Sequence, residues 1–144
     1  MSTEKPISRS DYQRFYPITT RWMDNDIYGH VNNVTYYSYF DSAVNRYLIE
    51  EGGLDIHDAP IVGFVVNSHC NYLAPIAYPD AIEVGLRVNK LGNSSVTYGV
   101  AIFKEGEAQA CAYGDFIHVF VERAANKAVA IPEGIRNALT QLVI

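Results

Sequence analysis

The sequence predicts an α+β fold in which a curved antiparallel β-sheet wraps around one long apolar central helix. Three observations carry this. Residues 33–51 hold Val34, Tyr36, Tyr37, Tyr39, Phe40, Ala43, Val44, Tyr47, Leu48 and Ile49, spread over much of a helical circumference rather than along one stripe. After residue 60 the hydrophobic period switches to two and stays there through successive segments. A second helical segment is short and C-terminal, so strands are the main cover for the apolar helix.

The elements follow in order. Residues 1–13 read as a polar arm on a single domain spanning 1–144, a length sufficient for a proper core. Residues 15–21 read as a first strand, with Pro17 placing it at an edge or strand start. A loop follows, then the helix over 33–51, stopped by Gly52-Gly53. The next strand puts Val62, Phe64, Val66, Ser68, Cys70 and Tyr72 on one face and Asn67, His69 and Asn71 on the other, until Leu73-Ala74-Pro75 ends it. Ile82, Val84, Leu86 and Val88 alternate with Glu83, Gly85, Arg87 and Asn89. A turn over 91–94 leads to the inward face Val96, Tyr98, Val100 and Ile102. Glu105-Gly106-Glu107 turns again into a long strand over 108–122. Its small residues Ala108, Ala110, Ala112 and Gly114 would let a helix lie close. Pro132 suits the first turn of a helix over 133–142.

Composition excludes several classes. A net charge of −5 argues against nucleic acid as the main partner, because phosphate binding needs a basic face. A small anion needs only a few cations, for which Lys90, Lys104, Arg123 and Lys127 are candidates. No apolar run reaches membrane-spanning length, and the first 14 residues lack the apolar region of a signal peptide. Cys70 and Cys111 sit in strand-like stretches without metal-ligand spacing, so free thiols and a cytoplasmic location are expected. Eleven tyrosines and six phenylalanines point to a core or cleft built from flat, amphipathic rings.

The chemistry concentrates in residues 21–40. Asp24 and Asp26 share a short loop, Gly29 and His30 follow, and Asn32-Asn33 opens the helix. A helix start offers unpaired N–H groups and the positive end of a macrodipole. A carboxylate beside such a start is the minimum equipment for acyl transfer. Asp26 reads as nucleophile or general base, or more plainly as an Asx-turn carboxylate. Asp24 reads as a structural group holding the loop through backbone N–H donors, with like-charge repulsion as its other possible effect. His30 either donates to a reacting carbonyl or leaving group, or packs under the loop onto a backbone carbonyl. Gly29 permits a tight backbone path or close substrate approach. Asn32 and Asn33 are N-cap residues first, and a cap does not compete with an oxyanion site. Asp24, Asp26 and His30 have no further His or Cys nearby, so no metal is expected. His69 reads as a solvated or satisfied histidine, or as cleft or interface lining. Asp41 pairs with an arginine or reaches solvent, and His57 and His118 carry no signal. The helix tyrosines are core first and acyl-pocket lining second.

The string Asp24-Asn25-Asp26-Ile27-Tyr28-Gly29-His30-Val31-Asn32-Asn33 resembles the motif of the hot-dog-fold acyl-CoA thioesterases, in the 4-hydroxybenzoyl-CoA thioesterase-like branch. So do Tyr39-Phe40, Arg46, Asn71-Tyr72-Leu73-Ala74-Pro75, Asp80 and Ile131-Pro132-Glu133, and the resemblance covers residues 14–140. It implies hydrolysis of an acyl-CoA to free acid and CoA, with coenzyme A as part of the substrate and no separate cofactor. Asp26 takes the catalytic carboxylate role. The Asn33 N–H takes the oxyanion position, helped by Gly29 or His30. Tyr28 and Tyr36 are expected at the substrate, and the turn carrying Lys90, Asn93, Ser94 and Ser95 is expected to meet the coenzyme A tail. The resemblance also implies dimers joined edge to edge, with active sites at their interface. A leftover strand edge independently predicts a homodimer or homotetramer. Two other functions stay open: a non-catalytic acyl-CoA-binding module, and a dehydratase or hydratase using a paired His and acid.

Overall fold

A computed structural model describes residues 7–144, so the expectations for residues 1–6 lie outside the described residues. The elements are β1 (Arg14–Thr19), α1 (Thr35–Glu50), β2 (Ile61–Tyr72), β3 (Ala81–Leu91), β4 (Ser95–Lys104), β5 (Ala112–Glu122), β6 (Lys127–Ala128) and α2 (Glu133–Thr140). The strands form one antiparallel sheet in the order β1-β3-β4-β5-β2, with the short β6 added to β5. The sheet curls around α1, as the sequence predicts. β1 lies at one edge with Pro17 opposite Glu83, the position that a residue without an N–H tolerates.

The core lies between α1 and the concave face. Ile82, Val84, Leu86 and Val88 of β3 and Val96, Tyr98, Val100 and Ile102 of β4 pack there with Tyr36, Tyr39, Phe40, Ala43, Val44, Tyr47 and Leu48. From α2, Ile135, Ala138 and Leu139 close the far end, where the Tyr47 hydroxyl donates to the Ala138 carbonyl at 2.6 Å. The helix stop is the expected one: Gly52 and Leu54 N–H both donate to Leu48 O, and Gly53 takes φ +69°.

Three expectations need correction. First, α1 is covered on one side only. Ser38, Asp41, Ser42, Arg46 and Glu50 are exposed, a stripe at helical spacing that the dense aromatics obscure in the sequence. Asp41 reaches solvent, the second of the two outcomes expected for it, and accepts from Asn45 Nδ2 at 3.0 Å, with no arginine partner among the described residues.

Second, a bulge between Val65 and Asn67 changes the parity of β2. Gly63 and Val65 oppose the inward residues Phe120 and His118, and past the bulge Ser68, Cys70 and Tyr72 oppose Phe116, Gly114 and Ala112. Val62 and Phe64 therefore lie on the outer face, not with Tyr72.

Third, the small residues preceding and beginning β5 receive strands and the arm rather than a helix. A Cβ on Gly114 would lie 1.8 Å from the His69 carbonyl oxygen of β2. The Arg9 N–H donates to Ala108 O at 3.0 Å, and the Ala110 N–H to Ile7 O at 2.9 Å.

The described part of the arm packs on the sheet together with Phe15 of β1. Ile7, Tyr12 and Phe15 cover Ala101, Phe103 and Ala110 on the convex face. Among the described residues no helix is long and apolar enough to cross a membrane.

Candidate active site

The loop between β1 and α1 is built on Asp24. It is 2% exposed and accepts from the Arg21 N–H (2.9 Å), Arg21 Nη2 (2.9 Å) and Nε (3.1 Å), and the Tyr39 hydroxyl (2.7 Å). Burial alone would raise its pKa, but the Tyr39 and Arg21 donors outweigh it and hold the carboxyl below its ordinary value. Asp24 is therefore an anchor, and its oxygens are already committed to Arg21 and Tyr39. That removes one member of the conceivable Asp24, Asp26, His30 metal set. No group of three or more His, Cys, Asp or Glu poised to hold a metal occurs among the described residues.

Beyond Asp24 the chain forms a small hairpin. The Asn32 N–H donates to Asp24 O at 2.9 Å, Asn25 and Val31 form an antiparallel bridge, and the Asp26 N–H donates to His30 O at 3.0 Å. The Gly29 N–H closes the tip on Asp26 O at 3.0 Å, with Gly29 at φ +84°, where a side chain would be strained. Gly29 thus shapes the turn, and its N–H is not free for an oxyanion. Two bonds pin the hairpin to the segment before β3: Val31 N–H to Ile76 O (2.7 Å) and Tyr78 N–H to Asn25 Oδ1 (3.0 Å).

On this frame Asp26 is partly exposed. Its Oδ1 accepts the Tyr28 N–H at 2.9 Å, and its Oδ2 has no partner among the described residues. The bland Asx-turn reading is thus half right: one oxygen holds the turn, the other is available. His30 is exposed rather than packed beneath the loop. Trp22, Met23, Ile27 and Tyr28 are 77%, 74%, 93% and 82% exposed and form an apolar lip. An open pocket of about 560 Å³ is lined by Trp22, Met23, Asn25, Asp26, Ile27 and Gly29.

The helix starts at Thr35, two residues later than the sequence predicts. Asn32 prepares that start: its Oδ1 accepts the Val34 N–H at 3.0 Å and its carbonyl accepts the Thr35 N–H at 2.9 Å. The Asn33 N–H has no acceptor among the described residues, while the Asn33 carbonyl accepts from the Tyr72 hydroxyl at 2.9 Å. One unspent donor therefore stands at the helix start, on the chain that leaves the Asp26 hairpin.

Other expected site residues are not brought together within one chain. Tyr36 is 3% exposed, edge-on to Tyr72 at 4.9 Å between ring centroids, and burial pushes its pKa up to about 12; it is core, not an open pocket wall. Lys90, Asn93, Ser94 and Ser95 lie at the far end of β3 from the motif loop, roughly 33 Å away along a strand of this length. Their turn is held by Arg136, whose Nη2 donates to Gly92 O (2.7 Å) and Asn93 O (2.9 Å). His69 is exposed, with Nε2 3.7 Å from Asp115 Oδ2. Arg21, Tyr39 and Tyr72 escaped the sequence reading as site-building residues. The i, i+3 spacing of Arg21 and Asp24 was a usable signal for the first, whereas the other two meet the loop only through the fold.

The motif-model description "Thioesterase-like superfamily" matches residues 20–139 of the chain. In sequence the chain is 28% identical over 127 residues to the long-chain acyl-CoA thioesterase FadM of Escherichia coli (strain K12), covering 88% of this chain and 96% of FadM. In structure it is similar to the PA5185 protein of Pseudomonas aeruginosa strain PAO1, with a TM-score of 0.95, 59% identity, and 96% and 97% of the two chains covered. The 1,4-dihydroxy-2-naphthoyl-CoA thioesterase from Synechocystis superposes with a TM-score of 0.80 at 18% identity, over 89% and 96% of the chains, a likeness of fold alone. With the family matched over most of its length and a curled sheet around one long helix, this chain belongs to the thioesterase-like superfamily and has the hot-dog fold.

Proposed function

We propose that this protein hydrolyses an acyl-CoA thioester to a free carboxylic acid and CoA. One observation carries the reading: a free carboxylate oxygen on Asp26 and a free N–H on Asn33, held by one pinned hairpin and the helix start it leads into. As general base, Asp26 takes a proton from a water that attacks the thioester carbon. The Asn33 N–H steadies the oxyanion, the C–S bond breaks, and the CoA sulfur leaves and is protonated. As nucleophile, Asp26 attacks the same carbon, expels the thiolate, and forms an anhydride that water then opens. The apolar lip of Trp22, Met23, Ile27 and Tyr28 favours an apolar acyl group, which agrees with the long-chain substrate named for FadM.

The same reading includes a homodimer paired through β2. This strand is a free sheet edge, and Phe64, Val65 and Val66 on it are 46%, 47% and 57% exposed. Antiparallel pairing about a two-fold axis sets the Ile61 end of one β2 beside the Tyr72 end of the other. The β3–β4 turn of the second copy then lies at the same end of the joined sheets as the first copy's motif loop. This resolves the separation of Asp26 from Lys90, Asn93, Ser94 and Ser95 within one chain, and supports a coenzyme A tail met by the second copy.

A thiol-release assay over short, long, branched and aromatic acyl-CoAs, with acyl carrier protein conjugates beside them, tests the activity. Asp26→Asn should lower kcat by about 100-fold or more and change KM little. A folded Asp26→Asn variant with near-normal turnover overturns the assignment. Tight acyl-CoA binding without thiol release would favour the binding module instead.

A further inference from the structure

We propose that Tyr72 is a positioning residue that aligns the Asn33 oxyanion donor from the edge strand β2; this rests on the role given to Asn33 above. Tyr72 is the last residue of β2, and the bulge at Val65/Asn67 turns it onto the concave face opposite Ala112. Its hydroxyl donates to the Asn33 carbonyl at 2.9 Å, across 39 residues of sequence. From the helix side its ring is held edge-on against Tyr36 at 4.9 Å, and Tyr36 itself is buried.

The consequence lies in the two peptide planes that flank the Asn33 Cα. The plane of residues 32 and 33 carries the free N–H, and its carbonyl is held by the Thr35 N–H at 2.9 Å. The plane of residues 33 and 34 is held by Asn32 Oδ1 on the Val34 N–H at 3.0 Å, and by the Tyr72 hydroxyl at 2.9 Å and the Tyr36 N–H at 3.4 Å on the Asn33 carbonyl. Of these contacts only the Tyr72 bond comes from outside the loop and helix; the others are local turns of the loop and helix start and would move with them. Tyr72 therefore registers the donor against the sheet, and an oxyanion donor loses its effect steeply when displaced. Because β2 is also the free edge, the same hydroxyl joins the strand available to a second copy to the start of α1.

Tyr72→Phe keeps the ring against Tyr36 and removes only the hydroxyl. With the acyl-CoA that the wild type hydrolyses fastest, kcat should fall by about tenfold with KM within about twofold, at unchanged sedimentation and thermal midpoint. In labelled protein the Asn33 carbonyl carbon resonance should move upfield while those of α2 stay in place, a readout that needs no activity. Tyr72→Leu, which also removes the ring, should lower the thermal midpoint as well as kcat. Wild-type kcat in Tyr72→Phe, or an unmoved Asn33 carbonyl resonance, overturns the proposal. A wild type that releases no thiol sinks the hydrolase reading itself, and is told apart from the first result by the activity of the parent protein.

Discussion

Acidification from pH 7 to pH 5 should destabilise the fold by about 2 kcal/mol through His118 alone. The side chain is 1% exposed and is surrounded by the rings of Tyr98, Phe116 and Phe120, with centroids 5.4, 5.0 and 6.1 Å away. Its Nδ1 has no hydrogen-bond partner among the described residues. Gly63 completes the enclosure, since a Cβ there would lie 2.9 Å from Nδ1. Burial without a compensating charge penalises the imidazolium and lowers the pKa from its ordinary 6.5 to about 4. Folded protein therefore keeps His118 neutral between those values, while the unfolded chain takes up the proton. The stabilisation is whole above pH 6.5 and is lost as the pH falls towards 4. At about 1.36 kcal/mol per pH unit the full loss approaches about 3.4 kcal/mol, of which about 2 kcal/mol is realised by pH 5. Denaturant unfolding of wild type and His118→Phe at pH 7, 6 and 5 measures it, because Phe preserves the ring contacts and cannot titrate. Asp24 does not interfere: its lowered pKa gives a contribution lost only below its ordinary 3.8, outside this window. The wild type should lose about 2 kcal/mol more than the variant over this range. Equal losses would refute the buried neutral imidazole.

Two further outcomes follow from the packing. Gly114→Ala sets a methyl group 1.8 Å from the His69 carbonyl oxygen, a backbone atom that cannot turn aside. It should cost about 3 kcal/mol in denaturant unfolding and loosen amide protection along β2 first; native-like stability would mean that the close β2–β5 approach is not as described. If the proposed dimer pairs through β2, replacing Val66 by Asp on that edge should shift the sedimenting species from dimer to monomer, with the helical circular dichroism kept. An unchanged mass at micromolar concentration would refute pairing through β2.

How much was legible differs by element. β3 and β4 were read correctly because their concave-face residues, Ile82, Val84, Leu86 and Val88 and then Val96, Tyr98, Val100 and Ile102, alternate without interruption. β2 misled because parity changes where β2 bulges against β5, and nothing in Val62–Tyr72 taken alone marks the extra residue. The polar stripe of α1 was present in the sequence at Ser38, Asp41, Ser42 and Arg46, but the aromatic residues between them masked it. In the candidate site, the roles proposed for Asp26 and Asn33 were read from a single continuous loop, while the Gly29 N–H, expected to help at an oxyanion, closes the turn on Asp26 O instead. Tyr36 and the turn with Lys90 to Ser95 were assigned to the same cleft by resemblance, and distance along β3 and burial against Tyr72 separate them in one chain.

The sequence by itself determined the order of elements and the loop on which the proposed chemistry rests, while resemblance to the family motif set Asp26 before Asp24. Those properties are local: periodicity, turn residues and a contiguous motif are written within a few residues of one another. Only the tertiary structure decided which polar groups are spent and which are free. Asp24 is neutralised by Arg21 and by Tyr39 of α1, Asn32 uses its side chain on the Val34 N–H, and Tyr72 reaches Asn33 from the opposite side of the fold. A hydrogen-bonding group is committed by whatever neighbour folding brings to it, and for Asp24 and Asn33 those neighbours come from α1 and β2.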